Sequence, residues 1–332
     1  MFKDIPDATR VRAIEDKFKD FAECIRFFPY GTGVIVSDSP VEFVGRAPRE
    51  LYGSATNPPN YAAIARHYGI EFRGNAEETA ALVNFSPSNP HNAFAEGKLT
   101  LAPVTSVDIA AAKQGKILDH DGKPVVAPFY DLAVIGGVFT QDDKLIVGAR
   151  GRRFGKELTA SRVLTMADDC FALAPGGGVG FVRQGNPLEI ALGHEFEEEL
   201  GISSTRANSH IQGVFKAKKV GPTGLKFVYS MNVKADSEEI LDLHVRGLSR
   251  YTWLCSAGKP QDEVAEQLKA EGLAPDVWEH SRLEALSLDE VLLRLESMEP
   301  RLDSPLENHV CGIGVGAITT LLLADIVNSQ AY

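Results

Sequence analysis

The chain has little that would direct it to a membrane, a nucleic acid or an oxidising compartment. Its four cysteines, Cys24, Cys170, Cys255 and Cys311, lie far apart and include no C-x-x-C pair. Neither a disulfide framework nor a thiolate zinc site is expected, and they read as buried thiols of a reducing compartment. No block of Lys and Arg is long enough to track a phosphate backbone, and 34 basic against 45 acidic side chains leave a net charge of −11. That balance argues against nucleic acid as a partner. The N-terminal stretch MFKDIPDATRVRAIEDKF lacks the apolar core and small-residue cleavage site of a signal peptide. The longest apolar run, CGIGVGAITTLLLADIV at 311–327, contains Asp325 and falls short of the roughly 20 residues that span a bilayer. A packed C-terminal helix, no membrane partner and a cytoplasmic location are the expectations.

What is present is globular. Apolar residues make up 44% and charged residues 24% of the chain, which excludes disordered, coiled-coil and low-complexity classes. A length of 332 residues exceeds the usual single core, so two domains are expected. Residues 8–27 carry helical spacing at Val11, Ile14, Phe18, Phe21 and Ile25, GTGVIVSDSPVEFVG reads as short strands broken by a Ser-Pro turn, and Asn60 to Gly69 reads as a capped helix. The texture loosens between residues 84 and 130, where NFSPSNPHNAF and DHDGKPVVAP supply turn residues. A boundary near 110–125 follows, with a smaller α+β domain over residues 1–125 and a second domain over 126–332.

The pattern sharpens from residue 131. DLAVIGGVFT and LIVGARGRR, joined by the polar QDDK, read as a hairpin. FALAPGGGVGF follows as a strand entering a glycine loop, and NPLEIALGHEFEEELGI as a helix. Asn186 is placed to cap that helix, Pro187 suits its first turn, Glu189 stands where an N-x-x-E capping box would close, and Gly201 ends it. Downstream, HIQGVFKAKKVGPTGLKFVYSMNVKA reads as a second hairpin turning at GPTG, with SLDEVLLRLES and the 312–327 run as closing helices. GIGVGAI at 312–318 imitates a dinucleotide fingerprint but opens a helix with no βαβ unit, so close helix packing on glycine faces is expected instead.

The glutamate helix carries the chemistry. HEFEEELGI, residues 194–202, puts four glutamates into five residues. At about 100° per residue Glu195, Glu198 and Glu199 share one face while Glu197 points elsewhere. Like charges at this spacing destabilise a helix and raise carboxylate pKa values unless a cation joins them. The stretch asks for a metal.

The order hairpin, glycine loop, glutamate helix, hairpin and terminal helix, together with HEFEEELGI, resembles the Nudix hydrolase superfamily, whose signature is G-x5-E-x7-R-E-U-x-E-E-x-G-U with U bulky and apolar. Glu195, Phe196, Glu198, Glu199, Gly201 and Ile202 match its last positions, and APGGGV resembles the family's loop. The resemblance covers about residues 128–326. Asn186 stands where the family has its first glutamate and His194 where it has arginine; in the family those two residues support the loop and helix by pairing, so losing both leaves no orphaned charge. With Gly177 taken as the first signature glycine, the loop GFVRQGN is three residues longer than the family's.

The resemblance implies an α/β/α sandwich with a mixed sheet, preceded by the smaller α+β domain. It implies hydrolysis of a diphosphate linkage in a nucleoside diphosphate derivative, such as a nucleotide sugar, with Mg²⁺ or Mn²⁺ held by Glu195, Glu198, Glu199 and the carbonyl of Gly176. One of the glutamates would double as general base. Hard divalent cations prefer such oxygen ligands. Glu279, or alternatively Glu263, is the candidate for a further acid from the distal region. Arg150, Arg152, Arg153, Lys216 and Lys218 are candidates for holding phosphates. The N-terminal domain is expected to cover the pocket or to build a homodimer. Two other readings stand beside this one: an inactive Nudix module that binds a nucleotide or mediates assembly, and a prenyl-diphosphate isomerase, for which Cys170 is the one conceivable nucleophile.

Overall fold

The computed structural model describes residues 1–27, 33–53, 57–72, 76–83, 98–125, 129–150, 172–217, 224–299 and 305–330. Its strands are β1 Ala22–Phe27, β2 Gly33–Val36, β3 Glu78–Leu82, β4 Lys98–Thr105, β5 Tyr130–Phe139, β6 Leu145–Arg150, β7 Ala172–Leu173, β8 Gly176–Gly178, β9 Ala207–Ala217, β10 Gly224–Val233 and β11 His280–Leu286. Its helices are α1 Ala8–Phe18, α2 Tyr61–His67, α3 Ser106–Lys113, α4 Pro187–Leu200, α5 Ser237–Ser256, α6 Gln261–Ala270, α7 Leu288–Ser297 and α8 Pro305–Gln330. The strands form one mixed sheet in the order β1-β9-β10-β5-β3-β4-β2, with β8 and β6 also pairing β5, and β7 and β11 pairing β6. β10 runs parallel to β5, and β2 to β4; the other pairs are antiparallel.

β5 is the centre of the fold because its sequence is apolar on both faces, as a strand covered on both sides must be. Alternation then divides its residues between two layers. Leu132, Val134 and Val138 face a core shared with Leu188, Leu192 and Phe196 of α4 and with Phe227, Tyr229 and Met231 of β10. Ile135 and Phe139 face the opposite core, built with Val11, Ile14 and Phe18 of α1, Val291 and Leu295 of α7, and Ile318, Leu321 and Leu322 of α8. The register pairs Val134 with Phe227 and Ile135 with Val228, so neighbouring strands divide their residues the same way. The result is the α/β/α sandwich with a mixed sheet. A third core, including Val41, Ile64, Tyr68, Val104, Val107 and Phe129, belongs to the N-terminal segment.

The helix expected over residues 8–27 ends at Phe18, and residues 22–27 are strand β1, antiparallel to β9. Asp7 caps α1 by accepting the amides of Thr9 and Arg10 at 2.7 and 3.3 Å. Beyond it, Phe21 and Ile25 are buried, and residues four apart fall on one face of a strand as readily as on one face of a helix. Pairing with β9 decides between the two. β3, β4, α3, α5, α6 and β11 were not legible beforehand. In β4 the discouraging residue is Pro103, which sits opposite Ala80 of β3 although proline is disfavoured within sheets. Of the second hairpin, both strands pair as expected, while its turn lies outside the described residues. Cys24 and Cys255 are free thiols.

α8 is the packed terminal helix that was expected. A Cβ at its Gly316 would meet Phe215 Cε2 at 2.7 Å and Ala22 at 2.8 Å, so the glycine serves close packing. Among the described residues no helix is long and apolar enough to cross a membrane. Phe196 is fully buried between α4 and the sheet. Phe196→Ala is expected to lower unfolding free energy by about 3–5 kcal/mol in urea titration, since the site is enclosed by strands that cannot collapse into the void.

Candidate active site

α4 carries the glutamates, and local chemistry sets both of its ends. Asn186 accepts the Leu188 amide at 3.1 Å and Pro187 occupies the first turn. Glu189 is exposed, and Asn186 accepts the amide one residue before it, so the expected capping box does not form. Gly201 ends the helix at φ 68° with its N–H on the Glu197 carbonyl at 3.0 Å. This is the left-handed cap that favours glycine. Leu188, Leu192, Phe196 and Leu200 are all buried, a stripe of i, i+4 spacing against the sheet.

That stripe gives each glutamate its own environment. Glu199, one residue round from the stripe, is 1% exposed. One of its oxygens accepts the Gly176 amide at 3.2 Å, and the other is joined to His280 Nε2 by a 2.7 Å hydrogen bond. Glu195 is half-buried and lies over the glycine loop, where a Cβ on Gly177 would overlap its carboxylate. A side chain at that position would displace the Glu195 carboxylate. Glu198 is exposed, and its backbone carbonyl accepts the Asp276 amide at 2.9 Å. Glu197 does point elsewhere: its Oε1 accepts the amide and the hydroxyl of Ser204, both at 2.8 Å.

Electrostatics follow from these positions. Glu195 is pushed up to about 8 by burial, and then by the charges of Glu199, Glu198, Glu279 and Asp276. Glu198 is also raised, by burial and by Asp276, against the opposing pull of His194 and Lys269. Glu197 is lowered by its Ser204 bonds. The loop therefore gathers carboxylates from α4 and from the short turn Val277–Glu279 into one region of negative potential.

Oxygen-only donors under mutual repulsion suit a hard divalent cation in chemical type. In position they do not yet converge: among the described residues no group of three or more His, Cys, Asp or Glu side chains is disposed to hold a metal ion. Glu199 is already engaged by Gly176 and His280.

Glu198, Glu199 and Glu279 thus all act on Glu195 by charge, and Gly176 meets Glu199 through its N–H. Glu263 lies exposed on α6 and is not among the principal charges on Glu195. His194 is exposed and acts on Glu197 and Glu198 by charge. Lys216 lies on β9, separated from β8 by β10 and β5, and is not among the principal charges on the glutamates. Arg150 closes β6 with its backbone opposite His280. Arg152, Arg153, Lys218 and Cys170 lie outside the described residues.

His280 and Asp276 were missed. A lone histidine inside EHSRLEAL carries no periodicity that marks it, yet His280 is fully buried. Behind it His244 of α5 is 4% exposed, with no acceptor or donor for either ring nitrogen among the described residues. Burial, and then the neighbouring His280, hold its pKa down at about 4. His244 is therefore neutral at physiological pH.

The glycine loop is anchored from the N-terminal side. Val179 donates to the Leu132 carbonyl of β5 at 3.2 Å and accepts the Ala80 amide of β3 at 2.9 Å, and Phe181 donates to the Glu78 carbonyl at 3.0 Å. The N-terminal segment thereby holds the loop that leads into α4.

No family model and no curated protein matches the chain. Among solved structures, it is similar to DR0079 from Deinococcus radiodurans at 16% identity, over 51% of this chain and 74% of that one, with a TM-score of 0.29. It is similar also to a NUDIX hydrolase from Nitrosomonas europaea at 16% identity, over 61% of this chain and 89% of that one, with a TM-score of 0.28. At these values neither neighbour bears on activity or substrate.

The raised Glu195 has a measurable consequence. Its folded pKa of about 8 lies above the ordinary 4.5, so the folded state holds a proton that the unfolded state releases. The associated stability is complete below the unfolded value and is lost as pH rises through the folded one. In chelator, Tm is expected to fall between about pH 5 and pH 8, with a shallower slope in Glu195→Gln. Equal slopes in thermal melts of the two proteins would refute the crowding.

Proposed function

We propose that the chain catalyses metal-dependent hydrolysis of a diphosphate linkage in a nucleoside diphosphate derivative, a nucleotide sugar or similar small molecule. The observation that carries this reading is the Glu195 carboxyl, pressed onto Gly177 and crowded by Glu198, Glu199, Glu279 and Asp276. Such crowding is costly unless positive charge joins it, and a diphosphate brings further negative charge that makes the need greater. On this reading residues 126–332 form the hydrolase domain, and residues 1–125 an accessory unit.

Glu195, Glu198 and Glu199, with the Gly176 carbonyl, would hold Mg²⁺ or Mn²⁺, and Glu279 would add a further oxygen. When bound, such an ion neutralises phosphate charge and makes water a better nucleophile. The chain's own contributions are separable. Glu199, held by Gly176 and His280, keeps the helix in register with the loop. Glu198, exposed to solvent, would accept the proton of the attacking water. Arg150, Arg152 and Arg153 are assigned to the substrate phosphates. One water adds across the P–O–P bridge: its oxygen bonds to phosphorus, the bridging oxygen leaves with the other phosphate, and the protons pass to base and product.

A second reading, a nucleotide-binding module without turnover, is favoured by one feature. The position of the signature's first glutamate is Asn186, whose side chain is spent on capping α4, and the arginine position is His194, which is exposed.

The two readings separate in one assay. Purified protein is incubated with nucleoside diphosphate sugars, dinucleotides and nucleoside triphosphates, with Mg²⁺, Mn²⁺ or chelator, and products are followed by chromatography. The expected outcome is metal-dependent cleavage, with kcat lowered about 100-fold or more in Glu198→Gln and Glu199→Gln. Nucleotide binding without cleavage of any substrate would establish the second reading.

A further inference from the structure

A cavity of about 910 Å³ opens in the N-terminal segment, built from residues that the hydrolase reading does not use. Its wall carries three guanidinium groups, Arg46, Arg49 and Arg183, and three rings, Phe43, Tyr52 and Tyr61. Acidic side chains line it too, but they leave the arginines unsaturated: Arg46 is 3.9 Å from a Glu42 that is 70% exposed, and Arg183 is 3.8 Å from Glu78. Arg49 has no ion-pair partner among the described residues.

Arg46 is the fixed point. Its side chain is only 10% exposed, its guanidinium lies 4.0 Å from the centroid of the Tyr52 ring, and its Nη1 donates to the Val41 carbonyl. Its Nε is buried with no acceptor among the described residues. The platform beneath it is itself held. The buried carboxylate of Asp108 accepts the hydroxyls of Tyr52, Tyr68 and Thr105 at 2.7, 2.6 and 2.7 Å, and Tyr68 also accepts the Ala47 amide at 3.1 Å. A guanidinium immobilised on an aromatic face in a cavity wall is preorganised for a planar or tetrahedral anion. The remaining rings and the flanking prolines Pro48, Pro58 and Pro59 offer apolar faces for a flat body.

We propose that this cavity is a binding site for a planar aromatic molecule bearing an anionic group, with the anion on Arg46, Arg49 and Arg183 and the ring against Phe43 and Tyr61. The site is independent of the carboxylate cluster. It touches the same loop, because Arg183 follows Phe181, whose amide is tied to Glu78. Occupancy therefore grips the segment that leads from β8 into α4.

The test is isothermal titration of the full chain in chelator, so that no hydrolysis intervenes, with AMP, adenosine and inorganic phosphate as probes. One AMP per chain is expected, with adenosine and phosphate each at least about tenfold weaker. Arg49→Ala and Arg183→Ala, both at exposed positions and expected to melt as the parent does, should each weaken AMP about tenfold. Arg46→Gln should abolish binding, and Glu198→Gln should leave it unchanged. Absence of AMP binding would overturn the proposal, as would phosphate binding as tightly as AMP, or affinity unchanged in Arg49→Ala and Arg183→Ala. Binding lost in Glu198→Gln and kept in Arg183→Ala would place the AMP at the carboxylate cluster and overturn it equally. A chain that hydrolyses nothing in the assay above still passes or fails this test on its own terms.

Discussion

The buried carboxylate of Glu199 is the interaction on which the rest of the site depends. A charge-bearing group at 1% exposure is tolerated only where its lone pairs are met, and here they are met from two directions. Gly176 supplies an amide from the glycine loop, and His280 a ring nitrogen from the start of β11. One side chain thus ties α4 to β8 on one side and to β11 on the other. The turn just before β11 carries Asp276 and Glu279, so the same link that satisfies Glu199 also delivers the charges that raise Glu195.

Three neighbouring glutamates of one helix consequently meet three fates. Glu197, on the far face, finds two donors in Ser204 and is stabilised as an anion. Glu198 stays at the surface, where His194 and Lys269 partly offset Asp276. Glu195 is half-buried above a glycine, with carboxylates as its neighbours and a pKa near 8. Helix geometry selects which face each occupies, but the sign and size of each effect come from what the fold places opposite.

The sheet explains why the two ends of the chain are not independent. β5 is shared: its first residues pair with β3, its middle with β8, its last with β6, and its other edge with β10. The glycine loop is held by hydrogen bonds to β3 and β5, and β1 adds to the edge beyond β9. Strand β3 of the N-terminal segment therefore borders the loop that follows Gly177, and the arginine-lined cavity adjoins the same loop through Arg183.

By itself the sequence determined what short-range chemistry decides. The extent of α4, its Asn186 cap and Gly201 stop, the shared face of Glu195, Glu198 and Glu199, the hairpin strands β9 and β10 and the packed terminal helix all follow from patterns within a few residues. Where two periods fitted equally, as at Phe21 and Ile25, local pattern misled, and only the partner strand β9 resolved it. His280 lies 81 residues from the Glu199 it contacts, and Asp108 56 residues from Tyr52. No local period encodes such meetings, because they arise when the register of a sheet and the packing of a helix bring distant backbone together. The tertiary structure alone therefore decided which acids crowd Glu195, what holds Glu199, and that three scattered arginines share one cavity.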